Sequence, residues 1–139
     1  MFAKILNAND GSETALRSFA VALALAKQNG SELHMVCVEE IPYMPDFVQE
    51  VEEQDEKAAR RIEGLVKRTQ AMADAEQVKL RPHVLKGHPV RDIVGLAEEL
   101  GADLLVIGAV GHSQLYERLI GSRADRIMQL AKCPVLVVK

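Results

Sequence analysis

Hydrophobic positions along the chain alternate between short unbroken runs and stripes spaced three and four apart, the signatures of buried strands and amphipathic helices. Ala3 to Ala8 predicts a first strand, closed by Asn9-Asp10-Gly11-Ser12. Leu16, Phe19, Ala20 and Leu23 then share a helical stripe that stops at Asn29-Gly30. Leu33 to Val38 predicts a second strand, and Val51, Ala58, Ile62, Leu65, Val66 and Thr69 mark a long second helix. Positions 39–56 carry eight acidic side chains and no basic one, with two prolines among them, and read as a solvated connection. Val78 to Leu85 predicts a third strand with Val78, Leu80 and Val84 on one face. Pro82 inside it cannot donate to a ladder, which places that strand at a sheet edge.

The last third is the most regular. Val90, Ile93, Val94, Ala97 and Leu100 form a stripe ending at Gly101, and Asp103 to Ile107 is a nearly unbroken apolar run, as in a strand covered on both faces. A loop from Gly108 to Gly121 leads to a helix with Ala124, Ile127, Met128 and Ala131 inward, and Pro134 opens a final strand, Val135 to Val138. Strands and helices alternating without repeat or linker predict one α/β domain over residues 1–139: an open five-stranded parallel sheet with helices on both faces.

Composition narrows the function. The chain has no Trp, three Phe and two Tyr, so stacking bases on aromatic rings is not its design. A net charge of −3 argues against a polyanion-binding surface, so no nucleic-acid partner is expected and a bound nucleotide would be held by local backbone donors. No apolar stretch is long enough for a membrane span, and the first residues start like a strand, so a cytoplasmic protein is expected. Cys37 and Cys133 have neither metal-type nor redox-type spacing and read as reduced thiols.

In such sheets ligands bind at the carboxyl ends of the strands, where the strand order reverses, which points to the loops after strands one and four. The second of these holds Gly108-Ala109-Val110-Gly111, nine residues, then Gly121-Ser122. Glycines let backbone approach a ligand closely. Ser122-Arg123-Ala124-Asp125 looks like a helix start, with Ser122 as N-cap and Asp125 at the third position, and free N–H groups there attract phosphate. Arg123 adds a positive charge. On the residues alone, these are equally turn glycines and a plain cap. Asp10-Gly11-Ser12-Glu13 is likewise a capping box by composition, or a place where Asp10 accepts bonds from a ribose or an adenine amino group.

Gly108-x-x-Gly111-x9-Gly121-Ser122 resembles the nucleotide signature of the universal stress proteins that bind ATP. Asp10-Gly11-Ser12, Gly87-His88-Pro89 and the ending Cys133-Pro134-Val135-Leu136-Val137-Val138 resemble theirs too, in the same order along the chain. The resemblance implies a Rossmann-like fold of the adenine nucleotide α-hydrolase type, strand order 3-2-1-4-5, and a regulatory stress-response module that binds ATP, with or without Mg²⁺. It implies Ala8, Asp10 and Cys37 near adenine and ribose, Ile107, Gly108, Val110 and Gly111 lining the pocket, and Gly121, Ser122 and Arg123 at the phosphates. Two positions depart from the family pattern: Val110, where His or Arg is frequent, and Arg123, where a small apolar residue is common.

There is no Gly-x-Gly-x-x-Gly, P-loop or Gly-x-Ser-x-Gly elbow, and His34, His83, His88 and His112 show no ligand spacing. His34 reads as a structural residue in a strand, and His112 as a solvated loop residue or a phosphate contact. No nucleophile with an adjacent base stands out, so no efficient enzyme is expected; slow ATP hydrolysis would need only Mg²⁺ and a positioned water. The alternatives are a slow ATPase or nucleotidyl-transfer enzyme on the same architecture, or a dimeric scaffold that has lost nucleotide binding. The uncharged strand Val135 to Val138 at the sheet edge opposite Pro82 predicts a homodimer through that strand.

Overall fold

The computed structural model describes residues 1–41, 48–110 and 120–139, with side chains described outside 48–55. Its strands are β1 (Lys4–Ala8), β2 (Glu32–Glu40), β3 (Leu80–Gly87), β4 (Leu104–Gly108) and β5 (Val135–Val138). They alternate with α1 (Glu13–Asn29), α2 (Val48–Ala75), α3 (Pro89–Leu100) and α4 (Ser122–Leu130). Every neighbouring pair is parallel and the order is β3-β2-β1-β4-β5, the order expected.

The unbroken apolar runs exist because the central strands are covered on both faces. Ile5 and Leu6 are both fully buried, on opposite faces of the sheet. Ile5, Leu33, Met35 and Val106 pack with Phe19 of α1 and Ile62 of α2. Leu6, Val36, Leu105 and Ile107 pack with Ile93 of α3 and Ile127 of α4. Each fully buried side chain of this kind contributes about 1.5–3 kcal/mol. Asn7 is the polar exception within β1: its Nδ2 donates to Ser18 Oγ at 2.9 Å and to Val106 O at 3.0 Å, tying strand to helix and to β4. At the amino edge the Asp103 carboxylate accepts from the N–H groups of Ala3 and Lys4, at 2.9 and 3.0 Å.

Four details differ from the sequence expectations. Ala20 is exposed, and α1 instead buries Ala15, Ser18, Ala22 and Ala26 beside Phe19 and Leu23, because an alanine-rich helix leaves the phase of its stripe ambiguous. Leu80 is buried but Val84, expected on the same face, is 53% exposed on this outer strand. The acidic stretch is not simply a connection. β2 runs through Glu40 and α2 opens at Val48, so the stretch begins in a strand and ends in a helix. Finally, Ser122 is the first residue of α4 and Gly121 is its N-cap.

Candidate functional site at the carboxyl edge of the sheet

Between β1 and β4 the strand order reverses, with α1 and α4 packing on opposite faces, so a crevice opens at their carboxyl ends. A cavity of about 390 Å³ lies there, within the range of small-molecule sites. Ala8, Asp10, Cys37, Ile107, Gly108, Val110, Gly121, Ser122 and Arg123 all line it. Of the residues the resemblance assigned, Gly111 falls outside the described residues, as does His112.

Two helices begin at this cavity, and their starts are built differently. At α1, Asn9 Oδ1 accepts from Gly11 N and Asp10 Oδ1 accepts from Ser12 N, both at 2.9 Å. Ser12 Oγ accepts from Ala15 N at 3.3 Å as the N-cap. The Asp10-Gly11-Ser12-Glu13 box expected from composition is not formed: Ser12, not Asp10, is the N-cap, and Glu13 is the first residue of the helix. Glu13 turns outward and pairs with Arg17 at 3.0 Å.

At α4 the N-cap is Gly121, and among the described residues no side chain caps the helix. Gly121 N donates to Ala109 O at 2.7 Å and Gly121 O accepts from Asp125 N at 3.0 Å, so the chain is pinned to the end of β4 as the helix opens. A Cβ on Gly121 would stand 3.3 Å from Ala109 O and 3.5 Å from Val110 Cα. Gly108 has a different reason. A Cβ there would lie 2.7 Å from Thr14 Oγ1 and 2.9 Å from Ala15 N, so it is the first turn of α1, not a ligand, that closes on this glycine. Thr14 Oγ1 also donates to Val110 O, holding the loop to α1.

Charge is concentrated at the mouth. Arg123 Nη2 lies 2.6 Å from Glu40 Oε2, with both side chains more than half exposed. Such an exposed pair is worth under ~1 kcal/mol, so an anion in the cavity can recruit the guanidinium. Burial pushes the Cys37 thiol up to about 11, with the Asp10 carboxylate adding to the effect, so the thiol stays protonated at neutral pH.

Sequence reasoning missed Glu40 and the walls from other helices: Arg61, Ile62 and Leu65 of α2, and Pro89 and Ile93 of α3. Ile62 and Ile93 were legible as core residues, but no local signal places their helices at the crevice. The histidines do meet away from the cavity. His34 Nε2 lies 2.7 Å from Glu32 Oε1, and His34 Nδ1 lies 2.8 Å from His83 Nε2 across β2 and β3. His34 is 3% exposed and fully engaged, the structural role expected of it. Among the described residues no group of three or more His, Cys, Asp or Glu side chains could hold a metal ion. No helix there is long and apolar enough to cross a membrane.

The universal stress protein family model matches residues 1–139. The universal stress protein YxiE of Bacillus subtilis is 30% identical over the full length of both chains. Among solved structures, the UspA universal stress protein of Lactobacillus plantarum superposes with a TM-score of 0.90 at 22% identity, covering 99% of this chain and 97% of that one. A universal stress protein in complex with cAMP superposes with a TM-score of 0.77 at 25% identity, covering 99% and 97%.

Proposed function

From the premise that the chain belongs to the universal stress protein family, we propose that it is a regulatory module of the stress response that binds ATP in the carboxyl-edge crevice and works as a cytoplasmic homodimer. One observation carries the reading: the start of α4 faces the cavity with a glycine N-cap and, among the described residues, no side-chain cap, beside Arg123. N–H groups at a helix start together with a guanidinium are a site for phosphate. The apolar walls from Ala8, Val38, Ile62 and Ile107 suit an adenosine. The relative crystallised with cAMP supports an adenine nucleotide as the class of ligand. With no metal-holding cluster among the described residues, Mg²⁺ would come in on the phosphates.

The same cavity supports binding without efficient turnover. Ser12 Oγ is held as a helix cap and the Cys37 thiol is held protonated, so neither is an activated nucleophile. Dimerisation is supported by β5, whose outer edge pairs with no strand among the described residues. The carbonyls of Pro134 and Val138 accept from Leu105 and Ala109 of the β4 side, so the backbone groups of Val135 and Val137 point outward. An apolar edge of that kind favours antiparallel pairing with a second copy.

Mass spectrometry of the gently purified protein, followed by calorimetry with ATP, ADP, AMP and cAMP, tests the nucleotide reading. Bound adenine nucleotide and the tightest affinity for ATP are expected; no binding of any of the four would sink it. Turnover should fall far below the ~1–1000 per second of ordinary enzymes. Light scattering should give a dimer that Val137→Pro converts to monomers, since proline removes an outward donor.

A further inference from the structure

A second cavity, of about 680 Å³, runs between α3 and α4 on the outer side of the nucleotide crevice. Its floor is apolar: Pro89, Val90, Val94 and Gly95 from α3, and Leu130 from α4, which is 49% exposed. Its rim is basic, with Arg91, Arg123, Arg126 and Lys132 set against Glu40 and Glu98. Lys132 pairs with Glu98 at 3.0 Å, Arg123 with Glu40 and Arg91 with Asp92 at 3.4 Å, while Arg126 makes no ion pair among the described residues. A net positive rim on a chain of net charge −3 is a local departure from the rest of the molecule.

We propose that this groove is a docking site for an acidic amphipathic helix of another protein. Among the described residues no free sheet edge lines the groove to offer backbone pairing, so an extended segment would leave its own N–H and C=O groups unmet. A helix satisfies them internally and lays an apolar stripe between the two ridges. α3 lines the groove from Pro89 to Glu98, a length of ~14 Å and enough for between two and three helical turns of a partner. Carboxylates flanking the stripe meet Arg91, Arg126 and Lys132. A nucleic acid backbone is the poorer fit, since it would leave the apolar floor uncovered and face Glu40 and Glu98.

The groove also shares a wall with the nucleotide crevice. Glu40, Pro89 and Arg123 line both. On the ATP-binding reading, phosphate drawing Arg123 from Glu40 changes the charge of the rim, so docking responds to the nucleotide. Docking itself does not depend on that reading.

Fluorescence anisotropy of the full-length chain with a labelled, helix-stabilised peptide of about 15 residues, leucines spaced three and four apart and glutamates elsewhere, tests the proposal. A scrambled peptide of the same composition and a thymidine oligonucleotide of equal charge serve as competitors. The amphipathic peptide should bind at least tenfold tighter than either. Arg126→Glu and Leu130→Asp, both outside the nucleotide cavity, should each weaken it at least tenfold while ATP affinity and melting temperature hold. No peptide binding, equal binding of the scrambled peptide or oligonucleotide, or indifference to both variants overturns it. Saturating ATP should shift peptide affinity at least threefold in the wild type and not in Glu40→Gln. Equal affinities with and without ATP, when ATP binds, would overturn the coupling alone.

Discussion

The starts of α1 and α4 stand across the same crevice, each following a central strand, yet among the described residues only α1 has a side-chain cap on its first turn. At α1, side chains from Asn9, Asp10 and Ser12 turn back on the backbone and close the turn. At α4 the corresponding position is Gly121, which has no side chain to give. Both loops contain Gly-Ser pairs, at positions 11–12 and 121–122, and the difference lies in the frame: Ser12 is the cap of its helix, whereas Ser122 is one residue inside its own. A one-residue shift therefore separates a helix start that stabilises itself from one left for an anion.

The largest effect is expected from making the two starts alike. Gly121→Asp places a carboxylate where it accepts the first N–H groups of α4, and it opposes phosphate by charge as well. ATP affinity should fall at least ~100-fold, about 2.7 kcal/mol. The melting temperature should hold or rise, because an Asp N-cap is worth about 1 kcal/mol to a helix. Gly121→Ala separates sterics from charge: its Cβ meets Ala109 O at 3.3 Å, and a loss of no more than about tenfold, ~1.4 kcal/mol, is expected in calorimetry. Equal losses in the two variants would show that space, not donors, sets affinity.

Gly108 belongs with α1 rather than with the ligand, and its replacement should read out as stability. Gly108→Val drives a side chain into the backbone of Thr14 and Ala15, an overpacking that should cost about 2–3 kcal/mol, seen as a lower denaturant midpoint at unchanged slope. Here the sequence was only half legible. Nine of the residues assigned from the glycine spacing and the family resemblance come together around one crevice. The separate duties of Gly108 and Gly121 depend on which backbone closes on each, a tertiary fact with no local signature. The sheet was legible for a stronger reason: β1, β2 and β4 are buried on both faces, so their apolar runs are unmistakable, and Pro82 marks an edge. The phase of α1 was not, because alanine tolerates either side of a helix.

Ser12→Ala tests the closed start directly. Losing the Oγ that receives Ala15 N should cost about 1 kcal/mol of stability. Although Ser12 lines the cavity, its oxygen is engaged by the helix, so ATP affinity should stay within about threefold, ~0.7 kcal/mol. A tenfold loss of affinity with unchanged stability would reverse the roles assigned to the two starts.

The smallest effect is expected at a polar group as closed as the α1 start but far from the ligand, the His34–His83 pair on β2 and β3. Partial burial holds the His83 pKa below its ordinary 6.5, and the neighbouring His34 adds to this, against a weaker opposite pull from Glu99. With the folded pKa depressed, the unfolded chain takes up the proton first as the pH falls. Stability from this site is thus complete above pH 6.5 and is lost as the pH drops through the folded value. His83 is half-buried and screened by solvent, so the loss is a fraction of the ~1.4 kcal/mol that a full unit would bring. Glu32 is also held low, chiefly by its hydrogen bond from His34, but its window lies below 4.5 and does not overlap. Denaturant midpoints should fall as the pH drops below 6.5, and His83→Gln should flatten that slope while leaving ATP affinity at pH 7.5 unchanged. A variant that keeps the slope would assign the titration elsewhere. One that loses ATP affinity would show that closed polar groups outside the crevice also reach the ligand, which the contrast between the two helix starts does not allow.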